Sequence, residues 1–195
     1  SNPSTFTLSD LQKTICEFGS NYFSGSSNGR PGNPLNYFQM LLLTGQFERA
    51  VNSLLMTGYH LEAVHVATGC LYHNRLRVGT EEGSVDVKTI VCELLPVLRA
   101  CVDKPGELQY ILCLSLHESL LNDAQSMVRQ LVTSEGSDLV QLLGDVLSDG
   151  RQQDGLVKHF APLLKLHNEQ DFIKTIVVGS AERCVEERRV VEALQ

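Results

Sequence analysis

The sequence predicts an all-α protein, an α-solenoid of about ten helices stacked as antiparallel pairs. Apolar residues recur at the three- and four-residue spacing of amphipathic helices along most of the 195 residues. The apolar–polar alternation that is typical of strands is not found in any convincing run. Glycine, proline and asparagine interrupt the pattern at short intervals, so helices of moderate length joined by short turns are expected.

Composition excludes several classes of function. Hydrophobic residues make up 43% of the chain, enough for a sizeable core. The formal net charge of −7 argues against direct nucleic-acid binding, for which a basic surface would be expected. The absence of tryptophan also disfavours a base-stacking platform. The chain contains no run of about 18 apolar residues, so no transmembrane segment is predicted. No signal-peptide pattern occurs at the start.

The cysteines are interpreted as small buried thiols in a reducing compartment. They form no C-x-x-C pair, and most have apolar neighbours at helical spacing, which disfavours a disulfide or zinc framework. The six are Cys16, Cys70, Cys92, Cys101, Cys113 and Cys184.

The first helix is predicted from Ser9 to about Phe23. Ser9 and Gln12 have the spacing of a capping box, with the hydroxyl at the cap and the glutamine at the third helical position. The stretch 24–32 is rich in serine and glycine and is predicted to be a flexible loop.

The second helix is predicted from Asn33 to Thr44. Asparagine is a favoured cap, and Pro34 in the first turn loses no hydrogen bond. Gly45 is a natural left-handed terminator.

A short glycine-containing pattern then occurs twice. Gly45 precedes Ala50-Val51 by the same distance as Gly58 precedes Ala63-Val64, and the copies are thirteen residues apart. A tight turn followed by a small residue suits closely stacked antiparallel helices, although two copies are weak evidence for a repeat. The apolar faces of the two helices are expected to comprise Phe47, Ala50, Val51, Leu54 and Leu55, and then Leu61, Val64, Ala67, Thr68 and Leu71.

After a polar loop at 79–84, four further helices are predicted. The first is kinked by Pro96. The second, 107–121, is apolar on most sides and is expected in the centre of the stack. Asp123 is expected to cap the third. Each helix is expected to turn a set of apolar residues inward. In the first helix these are Val87, Ile90, Val91, Leu94, Leu98 and Cys101, and in the second they are Leu108, Ile111, Leu112, Leu114 and Leu116. In the third helix they are Ala124, Met127, Val128 and Leu131, and in the fourth they are Leu139, Leu142, Leu143, Val146 and Leu147.

The C-terminal part is predicted as short helices and turns. Asp149-Gly150 is expected to turn the chain, and 156–160 is expected to be short and helical. Pro162 is expected to open a helix through His167. A last helix is predicted from about Asp171 to the end, or with a break near Gly179.

No catalytic centre is recognisable, so the chain is predicted not to be an enzyme and to need no cofactor or metal. Catalysis needs groups that converge and activate one another. His60 and His65 are five residues apart, a poor pair for one helix face, and His117-Glu118 lacks the second histidine of a zinc-protease helix. The glycine-rich loop has no Gly-Lys-Ser/Thr ending and follows no strand, so it is not a phosphate-binding loop.

An ordered set of short motifs resembles the nucleoporin-interacting-component family, the linker scaffold nucleoporins of the nuclear pore inner ring. The set begins with Asn36-Tyr37-Phe38-Gln39, an apolar run, Thr44-Gly45-Gln46-Phe47-Glu48 and Ala50-Val51. It continues with 63–67, with Asp103, Pro105 and Glu107-Leu108-Gln109-Tyr110, and with a glycine-rich stretch from Leu143-Gly144 to Phe160. Each motif alone is weakly specific, but their order from Pro34 to Phe160 makes the chain similar to a divergent member.

The resemblance implies a helical solenoid that binds other inner-ring nucleoporins as a structural scaffold at the nuclear envelope and so supports protein and mRNA transport. It implies no small-molecule substrate and no catalytic residue. Partner contacts are assigned to no residue. The matched residues are expected to be packing and turn positions: Tyr37, Phe38, Gln39, Gly45, Phe47, Ala50, Ala63, Leu108, Tyr110 and Gly150.

Two other interpretations stay open. A generic helical-repeat adaptor of another assembly, such as a coat or complex-lid subunit, would share the helical pattern. An enzyme or metal protein would need a polar cluster inside the core. Residues 1–195 are interpreted as a single solenoid segment excised from a longer protein, with Ser1-Asn2 as an expression scar.

Overall fold

A computed structural model describes residues 5–25, 33, 35–101, 104–134, 138–146 and 152–186. Within these residues the chain is almost entirely helical, which confirms the predicted fold class. The helices are α1 (Leu8–Ser24), α2 (Leu35–Leu43), α3 (Phe47–Met56), α4 (His60–Tyr72), α5 (Val87–Ala100), α6 (Lys104–Leu114), α7 (Leu121–Val132), α8 (Leu139–Leu143), α9 (Leu156–His159), α10 (Glu169–Phe172) and α11 (Gly179–Glu186). A π-helical segment, Ile173–Val178, makes α10 and α11 continuous, so about ten separate helices are present in the described residues.

The chain forms two compact units, residues 1–90 and 91–195. In the first unit, consecutive helices pack on one another in chain order, α1 on α2, α2 on α3 and α3 on α4, as in an α-solenoid. In the second unit, α6 packs on α7, and α7 packs on the π-helical segment and α11.

The cap of α1 differs from the prediction. Thr7, not Ser9, is the N-cap, and its side chain accepts a hydrogen bond from the amide of Asp10 at 3.2 Å. The Asp10 carboxylate accepts from the Thr7 amide at 2.9 Å, which completes a capping box two residues earlier than expected. Gly19, at φ 66°, bends the helix. Most of the predicted loop 24–32 lies outside the described residues.

Three successive helices end in the same kind of turn, which confirms the glycine terminators and adds a third. At Gly45 and Gly58 the next residue's amide bonds back to the carbonyl five residues earlier, at 2.9 Å in each case, and both glycines have positive φ. Asn74 at φ 52° repeats this Schellman arrangement after α4, with Arg75 N donating to Cys70 O at 2.8 Å. The sequence pattern did not include this copy because asparagine replaces glycine.

The small residues after the two glycine turns lie in the core as expected. Ala50 and Ala63 are each completely buried. Ala50 packs with Ile15 of α1 and Leu41 of α2, so α3 contacts both preceding helices at this position. Val51, Leu54, Val64, Ala67 and Leu71 are also buried, but Leu61, predicted on the same face, is 43% exposed.

The central helix of the second unit is shorter than predicted. Its buried residues include Leu108, Ile111, Leu112 and Leu114, as expected, but α6 ends at Leu114 instead of Leu121. A short 3-10 helix, Glu118–Leu120, leads into α7.

Asp123 does not cap α7, because the residue before the helix is Leu120 and Asp123 lies inside the first turn. A carboxylate there still favours the helix through its dipole.

A small β-pair replaces part of a predicted helix. After α8, β1 (Gly144–Val146) pairs antiparallel with β2 (Gln152–Asp154), with Gly144 opposite Asp154. Gly144 has φ 101°, and a Cβ there would lie 2.1 Å from Gln153 O, so only glycine fits. The helix therefore cannot continue through Val146. Leu147 and the predicted turn at 149–150 lie outside the described residues.

Pro162 opens no helix. Residues 161–165 form turns in which Leu166 N donates to Ala161 O at 3.0 Å, and Lys165 has φ 54°. The described part of the last predicted helix is present from Glu169 to Glu186, and its geometry changes from π to α at Gly179, near the predicted break. The rest of that prediction, 187–195, lies outside the described residues.

The cysteines are less buried than predicted. Cys184 is buried, but Cys92 and Cys101 are exposed and the other three are half-buried. Cys101 was expected on the inner stripe of α5; that stripe instead runs through Val87, Ile90, Val91 and Leu95.

Candidate functional site

Chemistry-bearing side chains do not converge into a metal site in the described part of the chain. No group of three or more histidine, cysteine, aspartate or glutamate residues there could hold a metal ion. None of the helices in the same residues is long and apolar enough to cross a membrane. The candidate functional features of these residues are therefore surfaces and buried charges.

A polar groove of about 360 Å³ is present in the first unit. Four short stretches line it: the start of α1, the turn after α2, the start of α3 and the loop after α4. Their principal side chains are Gln12, Lys13, Gln46, Glu48, Arg49 and Arg77.

The Schellman turn at Gly45 determines one wall of this groove. Thr44, only 6% exposed, bonds through its hydroxyl to the carbonyl of Met40 at 2.8 Å. Its own carbonyl accepts from Gln12 Nε2 at 2.7 Å, and its hydroxyl accepts from Gln46 Nε2 at 3.2 Å. Both amide side chains are therefore held by the turn rather than free to rotate.

Arg49 reaches back from α3 to α1. Its Nη1 donates to Gln46 Oε1 at 3.1 Å and contacts Cys16 Sγ. Cys16 Sγ in turn donates to the same Gln46 oxygen at 3.0 Å. These bonds hold the guanidinium in place although the residue is exposed.

Glu48 holds the loop that follows α4. Its Oε1 accepts from the backbone amide of Arg77 at 3.0 Å and from Arg77 Nε at 3.2 Å. Burial of the Glu48 carboxyl favours its neutral form, but the hydrogen bonds from Arg77 and its positive charge outweigh this effect and lower the Glu48 pKa. The same contact fixes Arg77 above Gly83.

The second unit contains a buried carboxylate that the sequence analysis missed. Glu107 is fully buried, with Arg99 Nε 2.6 Å from its Oε1 and Lys104 Nζ 3.7 Å from its Oε2. Oε2 accepts no hydrogen bond from the described residues. Lys104 also donates to Ser134 Oγ at 2.9 Å. The charges therefore join the ends of α5, α6 and α7, which is a structural role; the positions of Arg99 and Lys104 before Glu107 were the available sequence signal.

The family-motif residues predicted from sequence are spread over packing and turn positions. Ala50, Ala63 and Leu108 are buried, and Gly45 occupies a turn. The half-buried ones are Tyr37, Phe38, Phe47 and Tyr110, and Gln39 is exposed. Gly150 lies outside the described residues. They do not form one site.

The residues that line the groove were missed as a group. Lys13, Arg49 and Arg77 are far apart in sequence, and no local spacing predicts that they face the same cavity. Only the glycine turn at Gly45, which was predicted, gave a partial signal.

Comparison with known proteins identifies related chains. The model of the Nup93/Nic96 family matches residues 1–195. The chain is 25% identical to nucleoporin NIC96 of Chaetomium thermophilum over 97% of its length and 19% of that protein's. It is 29% identical to the nuclear pore complex protein Nup93 of Danio rerio, over 80% of the chain and 20% of that protein's length. A third relative, the meiotically up-regulated gene 87 protein of Schizosaccharomyces pombe, is 25% identical over 97% of the chain and 24% of its own length. The chain thus spans about a quarter of its relatives or less.

Proposed function

We propose, because this chain belongs to the Nup93/Nic96 family, that it is part of a scaffold nucleoporin that works by binding other nucleoporins through its helical surface. The family model matches the entire chain, and this single observation carries the proposal. It is the same family that the ordered motifs from Pro34 to Phe160 resemble.

The packing of the helices supports a structural role. Apolar seams between successive helices are closed by small buried residues, such as Ala50 and Ala63. Helices that pack this closely behave as a rigid support, since a packed interior does not deform continuously. The exposed ridges and grooves of the stack then provide surfaces for partner segments.

The finer proposal places the protein in the inner ring of the nuclear pore complex, at the nuclear envelope. Its partners there would be other inner-ring nucleoporins. It would support nucleocytoplasmic transport of protein and mRNA by holding those partners in position, without acting as an enzyme and without a cofactor.

A recovery experiment from nuclear-envelope extract tests this proposal. The immobilised chain is expected to recover nucleoporins, identified by quantitative mass spectrometry. The same chain unfolded by heat before immobilisation is the control, because it keeps the composition and loses the surface. Recovery of coat or lid proteins without nucleoporins would favour the generic adaptor and contradict the pore assignment.

A further inference from the structure

We propose that the polar groove of the first unit binds an acidic, extended segment of a protein partner through the carboxylates of that segment. This inference rests on the proposed function, because it names one surface of the scaffold and the chemistry of the partner that it takes. The carrying observation is the charge of the lining, which opposes that of the chain.

The groove is positive in an acidic protein. Lys13, Arg49 and Arg77 line it, with Glu48 as the one carboxylate among its lining residues in the described part of the chain. The whole chain carries a formal charge of −7. A local excess of positive charge inside a concave surface attracts and orients an anionic segment.

The cationic groups are partly organised in advance. Arg49 is held by Gln46 and Cys16, and Arg77 is held by Glu48. Each of these bonds uses only part of a guanidinium, which has five N–H donors in a planar fork suited to carboxylates. Because these side chains are already ordered, less conformational entropy is lost when a partner segment binds to them.

The lining fits an extended acidic segment better than the other classes of ligand. The groove has no aromatic side chain among its described lining residues, so it offers no surface for base stacking. The absence of large apolar side chains from that same lining disfavours the apolar face of an amphipathic helix. The three cations come from α1, α3 and the loop after α4, which suits several separate carboxylates.

The test uses the intact chain and a fluorescein-labelled short peptide of alternating glutamate and serine. Fluorescence anisotropy is expected to show binding that weakens as salt is raised to about 0.15 M, where charges are screened beyond about 8 Å. The double variant Lys13→Gln/Arg49→Gln is expected to bind the peptide more weakly by about fivefold or more, since two charges facing the ligand are removed. If the double variant does not fold, Lys13→Gln alone takes its place. This variant changes only an exposed side chain and is expected to show part of the loss in peptide binding.

The matched control is Arg75→Gln/Lys174→Gln, which removes the same charge from two exposed residues outside the groove. It is expected to bind as the unaltered chain does. Equal loss in this control, or equal binding of a glutamine–serine peptide, would show a general charge effect and overturn the proposal. So would tighter binding of inorganic phosphate or of a single-stranded oligonucleotide than of the acidic peptide.

Recovery from nuclear-envelope extract separates this inference from the proposed function. If the unaltered chain recovers nucleoporins and Lys13→Gln/Arg49→Gln recovers the same set in the same amounts, the groove proposal is wrong and the scaffold function stands. If neither chain recovers nucleoporins, the proposed function itself is contradicted. Loss of a nucleoporin with an acidic segment from the double variant, but not from the control variant, supports both.

Discussion

Arg129 of α7 donates from Nη1 to the carbonyl oxygen of Thr175 at 3.2 Å, inside the π-helical segment that joins α10 to α11. A π-helix pairs each amide with the carbonyl five residues earlier, and it therefore disturbs the regular α pattern of backbone bonds. The guanidinium supplies a donor to a carbonyl in that segment. One side chain of α7 thus stabilises an unusual stretch of the last described helix.

The crossing of Arg129 over Gly179 predicts a specific effect of adding a methyl group. A Cβ at Gly179 would lie 2.7 Å from Arg129 Cδ, so Gly179→Ala forces the arginine to move and disturbs its bond to Thr175. Overpacking of this kind costs about 1–2 kcal/mol, and the better helix propensity of alanine offsets about 0.5–1 kcal/mol of this cost. We therefore expect the free energy of unfolding, measured by urea denaturation, to fall by about 0.5–1 kcal/mol.

Gly69→Ala is the matched control for this change. Gly69 lies inside α4, and a Cβ there meets nothing within 4 Å. Alanine is the better helix former by about 0.5–1 kcal/mol, so this variant is expected to gain stability. Equal behaviour of the two variants would mean that Arg129 does not pack on Gly179.

Ala50 provides a test of the close contact between α3 and its neighbours. It is completely buried against Ile15 and Leu41, so Ala50→Leu has no space for three more carbon atoms. We expect the variant to lose about 1–3 kcal/mol of stability, measured as a lowered thermal midpoint. Ala100→Leu, at the exposed end of α5, is expected to leave the midpoint nearly unchanged. An unchanged midpoint in Ala50→Leu would show that Ala50 does not face a packed seam.

The buried carboxylate of Glu107 is expected to stabilise the folded chain by compensating the positive charges around it. Glu107→Ala leaves Lys104, whose side chain is only 13% exposed, without its counter-charge. Removing one partner of a buried ion pair costs about 3–5 kcal/mol, and the partial exposure of Arg99 reduces this to about 2–3 kcal/mol. Chemical denaturation measures the change. The double variant Glu107→Ala/Lys104→Met should recover part of it, and no recovery would argue against coupling between the two residues.

The ion pair between Glu48 and Arg77 predicts a dependence of stability on pH. The Glu48 pKa is lowered in the folded protein from its ordinary value of 4.5, so the unfolded chain binds more protons around that pH. Its contribution to stability is therefore present above pH 4.5 and is lost as the pH falls through the lower, folded pKa.

The measurement compares the unfolding free energy of the unaltered chain and of Glu48→Gln from neutral to acidic pH. The difference between them should be largest at neutral pH and shrink as the solution is acidified. Arg77→Gln keeps the backbone bond but removes the guanidinium. Its difference in unfolding free energy from the unaltered chain should also shrink on acidification, but by less than that of Glu48→Gln. A difference that is constant over the whole pH range would contradict the proposed stabilisation of ionised Glu48.

Local sequence was a good guide where the determinant is local. The turns at Gly45 and Gly58 follow from residues that adopt positive φ without strain, and the apolar stripe of α3 follows from helical spacing. The burial of α6 follows from a sequence that is apolar on most sides of the helix. The cap of α1 was misplaced because Thr7-x-x-Asp10 and Ser9-x-x-Gln12 both have capping-box spacing. Local pattern alone does not choose between them.

Chain geometry overruled local pattern at several other places. The apolar residues of α8 are followed, beyond Leu143, by others at the same helical spacing. Gly144 nevertheless adopts a conformation in which the chain leaves the helix and pairs with β2. Proline in general suits the first turn of a helix, but Pro162 lies in a turn. In both places residues outside the local pattern contact the segment: β2 pairs with Gly144, and Gln125 Nε2 donates to the carbonyl of Leu164 at 3.0 Å.

By itself, the sequence determined the helical class, the turns at Gly45 and Gly58 and membership of the Nup93/Nic96 family, because periodicity, glycine conformation and ordered motifs are all properties of the linear chain. Only the tertiary structure decided which charges face one another. Lys13, Arg49 and Arg77 line one groove because folding brings together residues that are far apart in sequence. Arg99 of α5 likewise reaches Glu107 of α6 only in the folded chain, whereas Lys104 and Glu107 are already neighbours by their spacing on α6.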